Sequence, residues 1–219
     1  MSEKIIVVSM AKNEADIIES FVRYHMTFVD GMIILDHNSD DNTGKILDKL
    51  KEEYPSLIID KLDAIEHVQY EVMTNLVKIA ANELQAGWIL PLDIDEFLIP
   101  KVVDDDCRSL FKKITHNVIS LDWLDYELVE PEQNREKFLL NRNCNRSKKL
   151  NSLSKVLLNG NFVRENKIRL AQGNHGVLVQ LDNGNEQIAH TFRTPDFTLA
   201  HFPFRSQDQY ITLKQYLST

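Results

Sequence analysis

Cysteine is scarce: Cys107 and Cys144 are the only two in 219 residues. That excludes a disulfide framework, leaves one conceivable bridge, and makes a reduced, cytoplasmic chain the simpler reading. An excess of basic residues is missing too. Lys and Arg number 25 against 33 Asp and Glu, a formal net charge of −8, whereas a nucleic-acid groove needs a basic face. The same imbalance repels anionic ligands at long range, so a phosphate site would have to be made locally, by a metal or by backbone N–H groups. No stretch approaches the length of a membrane span. The apolar run Ile5-Ile6-Val7-Val8 is too short for a signal peptide, and no cleavage site follows it. Peripheral attachment, at the inner face of a membrane, remains compatible with this composition. Internal repeats, low-complexity tracts and clear linkers are also lacking. What is present is ordinary: 43% hydrophobic and 26% charged residues suit one large domain with a sizeable core.

Along the chain, short apolar runs alternate with helical patterns. Lys4 to Met10, Met32 to Leu35 and Leu57 to Ile59 read as buried strands. Between them, Ile17, Ile18, Phe21, Val22, His25 and Phe28 mark one helical face, and Ile46, Leu47 and Leu50 another that stops before Pro55. A long helix over Val68 to Leu84 precedes Trp88 to Leu98, read as one extended stretch. This alternation predicts an α/β layer with a parallel sheet, in which ligands bind at the carboxyl ends of strands. Three strands end in polar residues: Asn13 with Glu14, Asp36, and Asp93 with Asp95. The plainer reading is that such residues make turns and cap helices. It accounts well for Ser39, Asp40 and Thr43, and less well for Asp36, which lies closest to its strand.

Asp93 and Asp95 are two apart, so on an extended chain their carboxylates point the same way and Glu96 points to the other side. Paired carboxylates repel unless a cation lies between them, and Mg²⁺ or Mn²⁺ takes one or two carboxylates plus phosphate oxygens. The plainer reading is a strand end and a turn. Beyond Pro100, Asp104-Asp105-Asp106 suggests the start of a short helix over Cys107 to Ile114. Val118 to Leu121 reads as a strand that Asp122 to Tyr126 leaves, and Asn141 to Asn151 as a loop. Ser154 to Leu158 and Phe162-Val163 suggest strands around a hairpin turn at Asn159-Gly160. His175 lies between Gly173 and Gly176 ahead of a strand from Val177 to Leu181, which runs into a turn at Leu181 to Asn185. His201 follows an apolar run, with Arg205 four positions on. Gln207 to Leu217 reads as a helix still in progress at Thr219, so residues completing a site would come from further chain or from a partner subunit.

Four pieces together resemble the family-2-like glycosyltransferases with the GT-A fold: Lys12 to Ile18, Leu35 to Thr43, Trp88 to Leu98 with its Asp-x-Asp, and Ala200 to Ser206. Gly173-Asn174-His175 and Lys155 are similar to weaker features of the group. The resemblance implies an α/β, Rossmann-like GT-A domain with a mostly parallel central sheet flanked by helices and a smaller mixed acceptor-side region. Residues 1–100 would form the nucleotide-sugar-binding half and 101–219 the acceptor-side half. It implies a hexosyltransferase that moves sugar from a nucleotide-diphosphate donor, a UDP-sugar, to a saccharide, lipid-linked or protein acceptor, with inversion and with Mn²⁺ or Mg²⁺. Asp36 would meet the base or ribose, with Asn13 and Glu14 near it. Asp95 would bind the metal, Asp93 the ribose or the metal through water, and His201 would be a further ligand. Lys155 and Arg205 would face the diphosphate. The general base is not marked by any neighbour. Asp122, Asp125, Glu127, His175 and Asp182 are in the right region, with Asp125 and His175 the candidates.

Two other readings stand beside this one. A non-catalytic nucleotide- or sugar-binding module would keep the fold without turnover. A phosphotransferase or phosphatase with Asp93 as nucleophile would fit an apolar strand followed by Asp-x-Asp, but leaves Asp36, Glu14 and His201 unexplained.

Overall fold

The computed structural model describes residues 3–62, 69–102, 105–128, 144–147 and 153–205. Position 68, position 104, most of the 141–151 stretch and the 207–217 helix of the sequence reading lie outside these residues. The first half of the chain alternates as expected: β1 (Ile5–Ala11), α1 (Ile18–His25), β2 (Gly31–Asp36), α2 (Thr43–Glu53), β3 (Leu57–Lys61), α3 (Gln69–Asn82) and β4 (Trp88–Pro91). Then follow β5 (Glu96–Pro100), α4 (Cys107–Phe111), β6 (Val118–Leu128), β7 (Cys144–Arg146), β8 (Ser154–Asn159), α5 (Gly160–Glu165), β9 (Ile168–Leu170), β10 (Val177–Gln180), β11 (Glu186–Ile188) and β12 (Phe192–Phe204).

One large sheet has the order β3-β2-β1-β4-β8-β6-β12-β5, with β7 beside β6. β1 to β4 are mutually parallel, β6 and β12 run the same way, and β5, β7 and β8 run against them. A small antiparallel sheet, β11-β10-β9, stands apart. Both faces of the large sheet are covered, which is why its strands are apolar without alternation. Ile5 and Val7 of β1 point into a core shared with α1, α2 and α4, while Ile6 and Val8 point into one shared with α3 and α5. Chain from both sides of Pro100 therefore builds one continuous sheet.

Three local expectations need correction. Asn159-Gly160 is not a hairpin turn: the Asn159 side chain caps α5, accepting the N–H groups of Asn161 and Phe162. Gly160 is required there because a Cβ would lie 1.8 Å from the Ala86 carbonyl oxygen. Residues 122–126 do not leave the sheet; β6 runs on to Leu128 because β8, β7 and β12 all pair with it. Trp88 to Leu98 is not one extended stretch but two strands joined by a tight turn. Cys107 is free and buried, and Asp106 caps α4 through the N–H groups of Arg108 and Ser109, as the acidic run suggested.

His25 shows how the core is tuned. Its ring is fully buried among Phe21, Tyr24, Phe28 and Phe97. Nδ1–H donates to the Phe21 carbonyl (2.9 Å), and Nε2 accepts from the Leu98 N–H (3.3 Å). Burial pushes its pKa down to about 4, against a smaller opposing effect of the Phe21 carbonyl. The folded state thus holds the neutral ring while the unfolded chain protonates near pH 6.5. The contribution is fully present above pH 6.5 and is lost as pH falls through about 4. Urea denaturation is expected to show a loss on the order of 3 kcal/mol from this group across that window, and His25→Leu is expected to remove that part of the slope.

Candidate active site

The carboxyl ends of β1, β2, β4, β6 and β12 and the amino ends of β5 and β8 lie along one edge of the large sheet, and every candidate residue but Asp122 and Asp182 is at or beside it. The exits from β1 and β2 are stitched together. Asn13 N–H donates to Ser39 Oγ (2.9 Å) and Asn13 Oδ1 accepts from Asp40 N–H (2.9 Å). Glu14 N–H donates to Thr43 Oγ1 (2.8 Å). Asp36, the last residue of β2 and 5% exposed, uses Oδ1 to accept from the Ser39 N–H (3.1 Å) and hydroxyl (2.6 Å). It therefore does make the turn that the plainer reading asked for, while its Oδ2 borders Gly44. Asn13, Asn38 and Asn174 all have positive φ (57°, 53° and 58°). Asn tolerates this region better than most residues, and such conformations collect at functional edges. A fourth, Gln85, precedes β4 away from this edge.

The Asp-x-Asp segment is a turn, closed by the Glu96 N–H on the Asp93 carbonyl (3.1 Å). The extended geometry assumed from the sequence does not hold, and Glu96 turns inward instead of away. Its Oε2 accepts from the Asp93 N–H (3.0 Å), and its Oε1 is 3.0 Å from Lys155 Nζ. Lys155, also fully buried, reaches Asp93 Oδ2 at 2.5 Å. Burial drives the Glu96 carboxyl upward, repulsion from Asp93 adds to this, and Lys155 opposes it. Burial would lower the Lys155 pKa, but Glu96 and Asp93 outweigh it and keep the ammonium charged. Gln69 (3.4 Å) and Asn174 (3.5 Å) reach the other oxygen of Asp93 at long distance.

Asp95 faces the other way, toward β12. His201 pairs in register with Glu96 of β5 and with Asp125 of β6, and a register shift follows it directly. Its Nδ1 is 2.7 Å from Asp125 Oδ1 and its Nε2 3.4 Å from Asp95 Oδ2. Burial works against protonation of His201, but Asp95 and Asp125 together raise its pKa above the ordinary value. Arg205 closes the group. Its Nε lies 2.8 Å from Asp16 Oδ2, one Nη 2.6 Å from Glu14 Oε2, and the other 3.7 Å from Asp95 Oδ2. Burial pushes the Glu14 carboxyl up to about 7, partly offset by Arg205 and reinforced by Asp95, Asp16 and Asp41.

The base candidates are sorted by these contacts. Asp125 is engaged by His201. Asp122 is held by Lys101 (3.0 Å) and by Arg193; burial would raise its carboxyl, but these cations hold it below the usual range. Glu127 is exposed near the end of β6, and Asp182 lies in the β10–β11 turn. His175 has Nδ1–H tied to the Ser154 carbonyl (2.8 Å), which leaves the lone pair on Nε2. Its ring sits 5.6 Å from Trp123, which also touches His201 (4.4 Å) and lies under Lys155 Nζ (5.6 Å).

Glu96, Asp16, Gln69 and Trp123 are the members that sequence reasoning missed. Asp16 sits inside the Lys12 to Ile18 motif and Glu96 is next to Asp95, so both had a signal. Gln69 and Trp123 had none, because they arrive through α3 and β6.

Among the described residues no group of three or more His, Cys, Asp or Glu is already gathered as a metal cage. The donor set still suits a divalent ion shared with a ligand. One carboxylate and one imidazole nitrogen 3.4 Å apart can both reach an ion at bonds of ~2.1 Å, and such ions complete their shell with phosphate oxygens and water.

No family model matches the chain, and no curated protein matches it in sequence. Solved structures do. GalNAc-T7, determined with UDP, GalNAc and Mn²⁺, superposes with a TM-score of 0.51 at 11% identity, over 97% of this chain and 48% of its own. The mannosyltransferase PcManGT from Pyrobaculum calidifontis, in complex with GDP-Man and Mn²⁺, gives 0.39 at 15% identity over 61% and 37%. HddC from Yersinia pseudotuberculosis gives 0.46 at 9% identity over 97% and 99%. The chain thus spans about half the length of GalNAc-T7 and over a third of PcManGT. At 11% identity the GalNAc-T7 likeness speaks for architecture alone: the chain has an α/β fold of the GT-A type.

Proposed function

We propose that the chain is a metal-dependent glycosyltransferase using a nucleotide-diphosphate sugar, a UDP-sugar in the first instance, with inversion at the transferred carbon. The observation that carries this reading is the line Asp125–His201–Asp95, set at the same carboxyl edge of the sheet that Asp36 ends on. Asp95 and His201 Nε2 would hold Mn²⁺ or Mg²⁺, with Asp93 meeting the ribose or joining through water. When bound, the ion supplies Lewis-acid stabilisation of the diphosphate leaving group. Asn13, Glu14 and Asp36 line the place for the base and ribose. Lys155 and Arg205, each paired with carboxylates, lessen the negative charge of this acidic edge where a diphosphate would approach. Residues 1–100 supply the donor side and most of 101–219 the acceptor side. The acceptor hydroxyl must lose a proton as it attacks, and His175, whose Nδ1–H is tied to the Ser154 carbonyl, offers its Nε2 lone pair for that proton.

The test is a panel of nucleotide sugars with Mn²⁺, read as slow donor hydrolysis or transfer to offered acceptors. His175→Gln is expected to lower kcat by roughly 10²- to 10⁴-fold while nucleotide affinity stays within about twofold. Unchanged turnover in this variant removes His175 from the mechanism. Tight metal-dependent nucleotide binding without any turnover favours a non-catalytic module of the same fold.

A further inference from the structure

We infer that Asp125 is a positioning residue: it fixes the His201 ring with the proton on Nδ1, so that the Nε2 lone pair is turned toward Asp95 and the ion the two would share. The inference rests on the metal-dependent reading above and assigns Asp125 away from base catalysis. Three features of the fold converge on the His201 ring. The parallel register of β6 and β12 puts Asp125 directly beside it, at 2.7 Å from Nδ1. Trp123, two residues earlier on β6 and therefore on the same face, packs its ring 4.4 Å from the imidazole. Nε2 is left pointing at Asp95 Oδ2, 3.4 Å away. β6 is itself held at this point, because the Ser147 N–H donates to the Asp125 carbonyl (2.8 Å).

An imidazole ligand binds an ion through the nitrogen that lacks a proton, and the hydrogen bond at its other nitrogen decides which one that is. Asp125 makes that choice here. A carboxylate in this position also increases the electron density on the ligating nitrogen, so its removal acts on affinity even when the ring stays in place.

The experiment uses the full chain in four forms: wild type, Asp125→Ala, Asp125→Asn and His201→Ala. Mn²⁺ binding is followed by the loss of the free-ion paramagnetic resonance signal, and the His201 tautomer by long-range ¹H–¹⁵N spectra without metal, recorded at a pH above the raised pKa where the ring is neutral. Asp125→Ala is expected to weaken Mn²⁺ binding by roughly 10- to 100-fold and to shift the His201 proton away from Nδ1. Asp125→Asn, which keeps a neutral acceptor and the side-chain shape, is expected to fall between the two and to retain the Nδ1–H form. A Mn²⁺ affinity within twofold of wild type in Asp125→Ala, or a wild-type His201 carrying its proton on Nε2, overturns the inference. Failure of the metal-dependent reading looks different: wild type and His201→Ala then bind Mn²⁺ equally poorly, while the ring spectra still decide the role of Asp125.

Discussion

Asp95→Ala is expected to abolish metal-dependent nucleotide binding and to lower turnover by roughly 10³-fold. Burial alone would raise the Asp95 carboxyl, but hydrogen bonding and charge from His201, then Arg205 and Lys155, hold it below the ordinary carboxylate range. It is therefore anionic at neutral pH and available to an ion without prior deprotonation. The fold should survive the change, because Asp95 is tied to β12 by its backbone carbonyl, which accepts from the Phe202 N–H (2.9 Å). Asp95→Asn separates charge from shape. It keeps the volume and one acceptor oxygen but loses the anion, and should bind nucleotide as poorly as the alanine variant while melting like wild type. Steady-state kinetics across a Mn²⁺ titration, with a thermal melt as control, checks both variants. An asparagine variant with wild-type kinetics would make Asp95 a turn residue and nothing more.

Lys155→Met is expected to be the most destabilising change at this edge, by about 3 to 5 kcal/mol near pH 8. Lys155 and Glu96 are both fully buried, and Asp93 shares the same ammonium. Removing the cation leaves a buried carboxylate with no charge partner. The pH dependence follows from the direction of the Glu96 shift. A carboxyl raised in the folded state binds more protons folded than unfolded, so stability rises as pH falls toward the unfolded value of about 4.5. Lys155→Met should thus recover part of its loss between pH 8 and pH 5, and the double variant Lys155→Met/Glu96→Gln should recover it at both. Urea denaturation at the two pH values checks this. A loss below 1 kcal/mol at pH 8 would mean that the Lys155–Glu96 pair is not stabilising this edge.

How far the sequence reaches depends on whether a residue's role is local. β1, β2 and β4 were legible because strands covered on both faces leave unbroken apolar runs, and their ends marked Asn13, Glu14, Asp36, Asp93 and Asp95 as one set. The turn at Asp93 to Glu96 was not legible. An extended chain and a tight turn share the same four letters, and only the return of β5 along β12 requires the turn. Asn159-Gly160 misled for a related reason. The pair suits a hairpin, but the close approach of Ala86 selects a helix start, and that contact spans more than 70 positions. The long β6 follows from pairing with β8 and β12, which no local pattern of residues 122–128 contains. The Ala200 to Ser206 motif points to Arg205 as a cation for phosphate, yet its partners Glu14 and Asp16 lie almost the whole chain away. What sets Asp125 apart from His175 is its contact with His201, against the hold of the Ser154 carbonyl on His175, and no local pattern contains either contact.

On the proposed reading, this edge binds a nucleoside diphosphate through a divalent ion held by Asp95 and His201. Calorimetric titration of UDP and GDP into wild type and Asp95→Ala, with Mn²⁺ and then with chelator, tests it most directly. Wild type is expected to bind one nucleotide with Mn²⁺ and to lose it with chelator, and the variant is expected not to bind it in either condition. Equal affinity in all four conditions, or no binding of any nucleotide diphosphate with Mn²⁺ present, would contradict it.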